Sequence, residues 1–312
     1  MPAPRCIVEV RWGKLGGTKV AVEPGNTLRV GRGDMAHLAV RHDSRLSAVH
    51  FDLAWDGERC TLRDLRSMTG THLNGELVTE AEVEHGAWIH AGDTDVMVYV
   101  EARTPPPADE EDEGDEADEE ARGQRARRHT LAERALEGLR DASSRIPLYA
   151  ILDAARDDRI LELLRESVER HQSLYEGLPG EPLEEVAPYL AGPMDPSSTL
   201  LSRLVREGWG RRWGIYCTSL EPFREVRRHF RRFLMVELEA SGERVYFRFY
   251  DPGVLGVFFP VCTPLQIQEM LGANERILYE APDGGLASIG AELATVKSFA
   301  GAPETAVPPH KG

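Results

Sequence analysis

The chain has 312 residues, 41% of them hydrophobic and 29% charged, with a formal net charge of −15. That length sets an expectation of about two domains, with a core that needs no disulfide or metal staples. No apolar stretch approaches the ~20 residues that cross a bilayer, no basic region precedes an apolar run at the N-terminus, and the acidic balance disfavours a nucleic-acid partner. The expectation is a cytoplasmic protein with no membrane segment, no nucleic-acid ligand and no cofactor. In chain order, residues 5–102 read as an all-β sandwich. Short alternating runs recur at Ile7–Val10, Thr18–Val22, Leu28–Val30, Val49–Trp55, Cys60–Leu65 and Val96–Val100. Between them lie Gly16-Gly17, Pro24-Gly25-Asn26, Asp56-Gly57 and Asn74-Gly75. Asp-Gly and Asn-Gly are hairpin signals because their residues tolerate positive φ.

Three segments of this region bear polar side chains suited to an anion. They are Gly31-Arg32-Gly33 after a strand, Ser47-Ala48-Val49-His50 entering one, and the run from Asp64 to Gly75. A phosphate dianion takes a guanidinium fork together with short hydroxyl or backbone donors. Loops on a rigid sandwich are where such donors meet. The order and spacing resemble the forkhead-associated (FHA) family of phosphothreonine-reading domains, whose pattern is Gly-Arg, then Ser-Arg-x-His, then Asp-Leu-x-Ser-x-Asn-Gly-Thr-x-x-Asn-Gly. The resemblance covers most of residues 5–101. It implies that Arg32 and Ser47 hold the phosphate, that Thr69 faces the ligand, and that His50 braces the loops. By the same resemblance Gly31, Gly70, Asn74 and Gly75 are architectural. Two positions depart: the arginine after the serine is Ala48, and the asparagine that clamps the peptide backbone is Thr69. One lost donor to phosphate and one to peptide cost about 1–3 kcal/mol each. Two readings stay open: a phosphothreonine site, or an FHA fold used as a phosphate-independent interaction surface.

Residues 103–144 read as a linker. Three prolines precede ten carboxylates at 109–120, with no base among them, which leaves −5 for the rest of the chain. Self-repulsion keeps such a run solvated, extended and disordered. A basic patch follows at Arg122, Arg125, Arg127 and Arg128, then a short helix. The opposed blocks either attract one another, or the acidic one docks on a basic surface, or the segment is a solubilising linker.

Residues 145–298 alternate types and read as an α/β domain, and 299–312 as a loose tail. Leu148–Ala154 and Trp213–Thr218 read as strands. Arg159–His171, Ser197–Glu207 and Pro222–Leu234 read as helices, the second capped by Ser197 or Ser198. Met235–Ala240 and Arg244–Tyr250 read as a hairpin through Ser241-Gly242, with Arg248 placed to pair with Asp251 or stack on an aromatic ring. The runs Leu148–Asp157, Ser173–Gly177, Ala187–Leu190, Gly208-Trp209-Gly210, Trp213-Gly214-Ile215, His229–Phe233 and Phe247–Pro252 resemble, in order, the adaptor or chaperone domain of type VI secretion, long catalogued as a domain of unknown function. The resemblance covers about residues 146–290. It implies a two-lobed α/β domain without catalytic activity, which holds a secreted effector protein and loads it onto the VgrG spike protein. The motif positions His229, Arg231, Arg232, Arg248 and Asp251 are expected either in a basic, aromatic-rimmed groove or in an ion-pair network knitting helix to sheet.

No nucleophile elbow, H-E-x-x-H, or metal-like Cys/His spacing is present. Cys6, Cys60, Cys217 and Cys262 lie far apart in sequence and read as buried free thiols. His37, His42 and His50 lack metal-ligand spacing, and the adjacent pairs Asp157-Asp158 and Glu184-Glu185 read as solvated surface. The sequence therefore predicts a non-enzymatic adaptor with an effector, the spike and a phosphothreonine protein as partners. The competing reading is a phosphothreonine-dependent signalling scaffold tethered to the secretion machinery.

Overall fold

The computed structural model describes residues 4–106, 115–175, 186–237, 242–290 and 297–298. The acidic run up to residue 114, Glu184-Glu185, the Ser241 turn position and the tail at 299–312 lie outside the described residues. The chain forms two compact units, one of residues 1–107 with 161–172 and the other of the remainder.

The first unit is a two-sheet sandwich. Its strands are β1 (Cys6–Val10), β2 (Lys19–Val22), β3 (Thr27–Gly31), β4 (Leu38–Ala39), β5 (Phe51–Trp55), β6 (Cys60–Asp64), β7 (Thr71–Leu73), β8 (Glu76–Val78), β9 (Glu80–Val83), β10 (Ala87–Ala91) and β11 (Thr94–Val100). One sheet runs β2-β1-β11-β10-β7-β8 and the other β4-β3-β5-β6-β9. Only the short β3–β4 pair is parallel among the pairings described. Alternation places Phe51, Leu53 and Trp55 of β5, Leu28 and Val30 of β3, and Val96 and Val98 of β11 in one core. The Asn74-Gly75 signal is a two-residue hairpin joining β7 to β8, with φ of 50° and 91°. Positive φ at both central residues matches the right-handed twist of the flanking strands. Strand β1 is buried on both faces rather than alternating. Residues 161–172 cover its outer side, where Lys19 Nζ donates to the Leu164 and Ser167 carbonyls at 2.5 and 2.6 Å. Those residues group with the sandwich, although they lie within the stretch that the sequence assigns to the second domain.

The second unit is mixed α/β. Its elements are α1 (Asp115–Ser143), β12 (Leu148–Asp153), α2 (Arg159–Arg165), β13 (His171–Ser173), β14 (Pro188–Met194), α3 (Thr199–Gly208), β15 (Gly214–Thr218), α4 (Phe223–Arg231), β16 (Met235–Glu237), β17 (Arg244–Tyr246), α5 (Pro252–Phe258), α6 (Pro264–Leu271), β18 (Arg276–Glu280), β19 (Leu286–Gly290) and β20 (Lys297–Ser298), with α2 and β13 shared across the division. A sheet ordered β13-β14-β12-β15-β18-β19-β20 forms its centre, and β16 and β17 pair separately. All six residues of β12 are buried. Tyr149 and Ile151 join a cluster with Phe223, Val226, Phe230, Phe249 and Leu255, while α1 and α3 pack together, with α1 against β12 and β19. The short helix expected after the basic patch is instead 29 residues long and already includes the end of the acidic run. Its apolar stripe, Ala132, Ala135, Leu136 and Leu139, supplies the burial that sustains that length.

Candidate functional site

In the N-terminal unit the β3–β4, β4–β5 and β6–β7 loops are laced together. Arg32 N donates to the Ser47 carbonyl at 3.0 Å and Gly33 N to that of Ala48 at 2.9 Å. The approach is close because residue 31 is glycine: a Cβ there would sit 2.4 Å from the Ala48 carbonyl oxygen. The Met68 amide donates to Ser47 Oγ at 2.9 Å, and Thr69 Oγ1 reaches the Arg45 carbonyl at 3.4 Å. His50 Nδ1 accepts from Ser47 N at 3.1 Å, which leaves the ring proton on Nε2 to donate to the Gly70 carbonyl at 3.1 Å.

Two carboxylates hold these loops from beneath. Asp43 is buried and accepts the amides of Arg45, Leu46 and Asp93 and the Thr94 hydroxyl. Burial pushes its pKa up, but the hydroxyl and the three amides outweigh this and leave it below the ordinary value. Asp64 accepts the Ser67 amide and the hydroxyls of Ser67 and Thr71, at 2.9, 2.6 and 2.6 Å. Burial again acts upward there, and the hydroxyls bring the net shift below the usual value. Asp64 stands in the motif; the part played by Asp43 leaves no local pattern, because its donors come from both residues 45–46 and residues 93–94.

The arginines around the loops differ in one respect. Arg29 pairs with Asp52, Arg41 with Asp34 and Arg45 with Asp93. Arg32 is exposed and its guanidinium meets no carboxylate among the described residues, and the same holds for Arg66, whose φ is 59°. Ser47 Oγ receives the Met68 amide and keeps its own hydrogen to donate. The loops thus offer a guanidinium fork and a hydroxyl donor on a braced frame.

The C-terminal motif residues lie in two networks. Asp153 and Asp251 are both buried. Arg248 donates to Asp153 rather than to Asp251. Asp251 is taken by Arg156 at 2.6 Å and Arg212 at 2.7 Å, and its side chain also caps α5 through the Gly253 amide. That capping duty turns the carboxylate toward the helix start, which corrects the expected Arg248–Asp251 pair. The expected strand to Tyr250 also stops at Tyr246, where the chain turns to bury Phe249 and to begin α5. Beside the ion pairs, the hydroxyls of Tyr175 and Tyr246 meet at 2.8 Å and those of Tyr246 and Tyr250 at 3.1 Å. Burial, first among the causes, pushes all three phenols up. On α4, His229 Nε2 donates to the Met270 carbonyl at 2.8 Å and Nδ1 accepts from Arg232 at 2.8 Å. Burial lowers its pKa and favours the neutral ring. Arg231 donates to the Leu174 carbonyl at 2.9 Å. Sequence reasoning missed Arg156 and Arg212 as partners of Asp251; they lie 95 and 39 residues away from it. Among the described residues no group of three His, Cys, Asp or Glu side chains is placed to hold a metal ion.

Comparison with known families matches residues 28–92 to the FHA domain and residues 148–269 to "Domain of unknown function (DUF4123)". Among solved structures, the FHA domain of an Arabidopsis thaliana hypothetical protein is 26% identical, covering 34% of this chain and 92% of that one with a TM-score of 0.30. The FHA domain of the CT664 protein from Chlamydia trachomatis is 19% identical over 30% of this chain and 96% of that one, with a TM-score of 0.29. The Mycobacterium tuberculosis Rv1747 FHA-1 domain is 24% identical over 31% and 97%, with a TM-score of 0.28. Comparison with curated proteins found no match. The fold and the two family matches define a protein built from interaction modules: the N-terminal sandwich is an FHA domain. The chain joins it to a mixed α/β DUF4123 domain, the domain associated with type VI secretion effector adaptors.

Proposed function

We propose that this protein is a cytoplasmic, non-enzymatic adaptor that binds a type VI secretion effector and helps load it on the VgrG spike, with an FHA module that reads phosphothreonine. The observation that carries the reading is the union of the two matched domains in one chain. For the N-terminal half, support comes from Arg32, whose amide bonds the Ser47 carbonyl and whose guanidinium meets no carboxylate among the described residues, and from the Ser47 hydroxyl, which keeps a hydrogen to donate. In this reading Arg32 and Ser47 take the phosphate and Thr69 contacts the peptide. His50, Gly31, Gly70, Asn74 and Gly75 keep the loops in place. His229, Arg231, Arg232, Arg248 and Asp251 act structurally, since each of them is already engaged within the C-terminal unit. The domain limits proposed from the sequence are 5–102, 103–144 and 145–298, although helix α1 groups with the second unit and residues 161–172 with the first. Binding alone is the mechanism: the adaptor presents the effector, docks it and dissociates.

The test is a tagged pull-down from the source cells, with and without phosphatase, read by mass spectrometry. Recovery of a toxin-like protein and a VgrG spike in both samples is expected. Phosphorylated partners recovered only without phosphatase, and no effector, would replace the adaptor with the signalling scaffold. Arg32→Ala then separates the two units' roles. Phosphopeptide affinity is expected to fall at least about tenfold, the loss of one charge-assisted contact, while effector recovery stays unchanged. Unchanged phosphopeptide binding would remove Arg32 from the site.

A further inference from the structure

The basic patch of α1 has a place in the fold that the adaptor reading does not use. Residues 124, 125, 127, 128 and 131 fall on one side of the helix and face the β18–β19 turn and the loop after α3. They enclose a groove of about 720 Å³ within the C-terminal unit. Arg125, Arg127 and Arg128 line one wall, and Trp209, Glu280 and Asp283 the other. The second wall is fixed. Trp209 Nε1 donates to the Gly284 carbonyl at 2.7 Å, and Ala281 N to the Gly285 carbonyl at 2.8 Å. Its two carboxylates are also engaged, Glu280 by the Gly210 amide at 2.9 Å and Asp283 by the Gly285 amide at 2.9 Å. Arg127 and Arg128 meet no carboxylate among the described residues. Planar guanidinium forks with no carboxylate partner among the described residues, on a helix anchored by the apolar stripe that continues C-terminally on the same side as Arg128, are built to take carboxylates two oxygens at a time.

We propose that this groove docks an acidic peptide segment of a partner protein. Charge complementarity names the occupant: Arg125, Arg127 and Arg128 outnumber Glu280 and Asp283 in the lining and lie together on the helix wall, while each carboxylate of the far wall is turned to a backbone amide. A nucleic-acid backbone instead needs a longer basic track than this short groove offers. The inference adds the charge of a bound segment to the adaptor reading and does not depend on it, because its probe is a peptide and not an effector.

The test uses the full chain and a fluorescein-labelled hexapeptide of glutamate and alanine, followed by fluorescence anisotropy at ~50 mM salt, where screening is modest. Its lysine-for-glutamate counterpart and a single-stranded oligonucleotide serve as competitors. Saturable binding is expected, weakened at least about tenfold by Arg127→Glu with Arg128→Glu and unaffected by the lysine peptide. Circular dichroism checks the fold, and Arg127→Gln with Arg128→Gln gives the same reading should the charge reversal fail to fold. Absence of binding, equal binding by the variants, or displacement by the oligonucleotide at lower concentration than by unlabelled acidic peptide overturns the proposal. Binding that emerges only when the carboxylates at 109–113 are replaced by serine also overturns it, because the chain's own acidic run is then the occupant.

Discussion

Lys19 puts an ammonium where the sandwich is covered by residues 161–172, donating to two carbonyls with Glu9 and Glu169 nearby. Burial outweighs those two carboxylates and pushes its pKa down to about 8. An unfolded lysine keeps its proton to about 10.5, so between those values the unfolded chain binds more protons than the folded one. Stability contributed by this group is therefore complete above about 10.5 and is lost as pH falls through about 8. Comparing urea unfolding of the wild type and Lys19→Met at several pH values checks the sign. The difference should shift in favour of the wild type as pH rises across that window, and a flat difference would mean that the amine titrates normally.

At the scale of elements, side-chain bonds decide where helices begin and end. Ser198, one of the two candidate caps, is the N-cap of α3: its Oγ accepts from the Leu201 amide at 3.1 Å. Ser198→Ala should lower stability by about 1 kcal/mol, seen in chemical denaturation, while Ser197→Ala should leave the cap intact. Helix α2 ends at Arg165, well short of the His171 that its apolar spacing predicts. The Leu164 carbonyl is taken by Lys19 Nζ and the Ser167 hydroxyl, so it is unavailable to the next turn. Helix α4 also stops early: the amides of Arg232 and Phe233 turn back three residues to His229 and Phe230. Periodicity read the starts of these helices well, because capping and first-turn residues are local. It misread their ends, because the competing donors lie elsewhere in the chain.

For the molecule as a whole, the sandwich and the mixed α/β region were legible, as were the loops bearing Arg32, Ser47 and Thr69, because their turn residues and motifs follow in fixed order. The grouping of residues 161–172 with the sandwich was not, since its apolar stripe looks the same whichever surface it covers. Nor was the two-walled groove at Arg125, Arg127 and Arg128, whose far wall lies about 80–160 residues further along the chain. Charge is likewise organised rather than merely negative: ten carboxylates precede those arginines on the way into one helix. Short-range steering of an acidic partner should therefore depend steeply on ionic strength. Among the described residues no helix is long and apolar enough to cross a membrane.

The four thiols, far apart in sequence, have unequal surroundings. Cys6 and Cys60 face one another at 3.8 Å inside the sandwich, and Cys217 is buried in the α/β core. The contact with Cys6 raises the pKa of Cys60, and burial raises that of Cys217, which suppresses their reactive thiolates. Cys262 alone is partly exposed, between α5 and α6, where Val257, Val261 and Leu265 stand open to solvent. The native protein thus has a built-in position for a single maleimide dye. Titration with a thiol-reactive chromophore should show one accessible group in buffer and all four in denaturant; a second fast-reacting group would show that a core thiol opens to solvent. A dye at Cys262 sits beside that apolar ridge, so its emission colour would register any partner that covers the ridge, without an introduced cysteine.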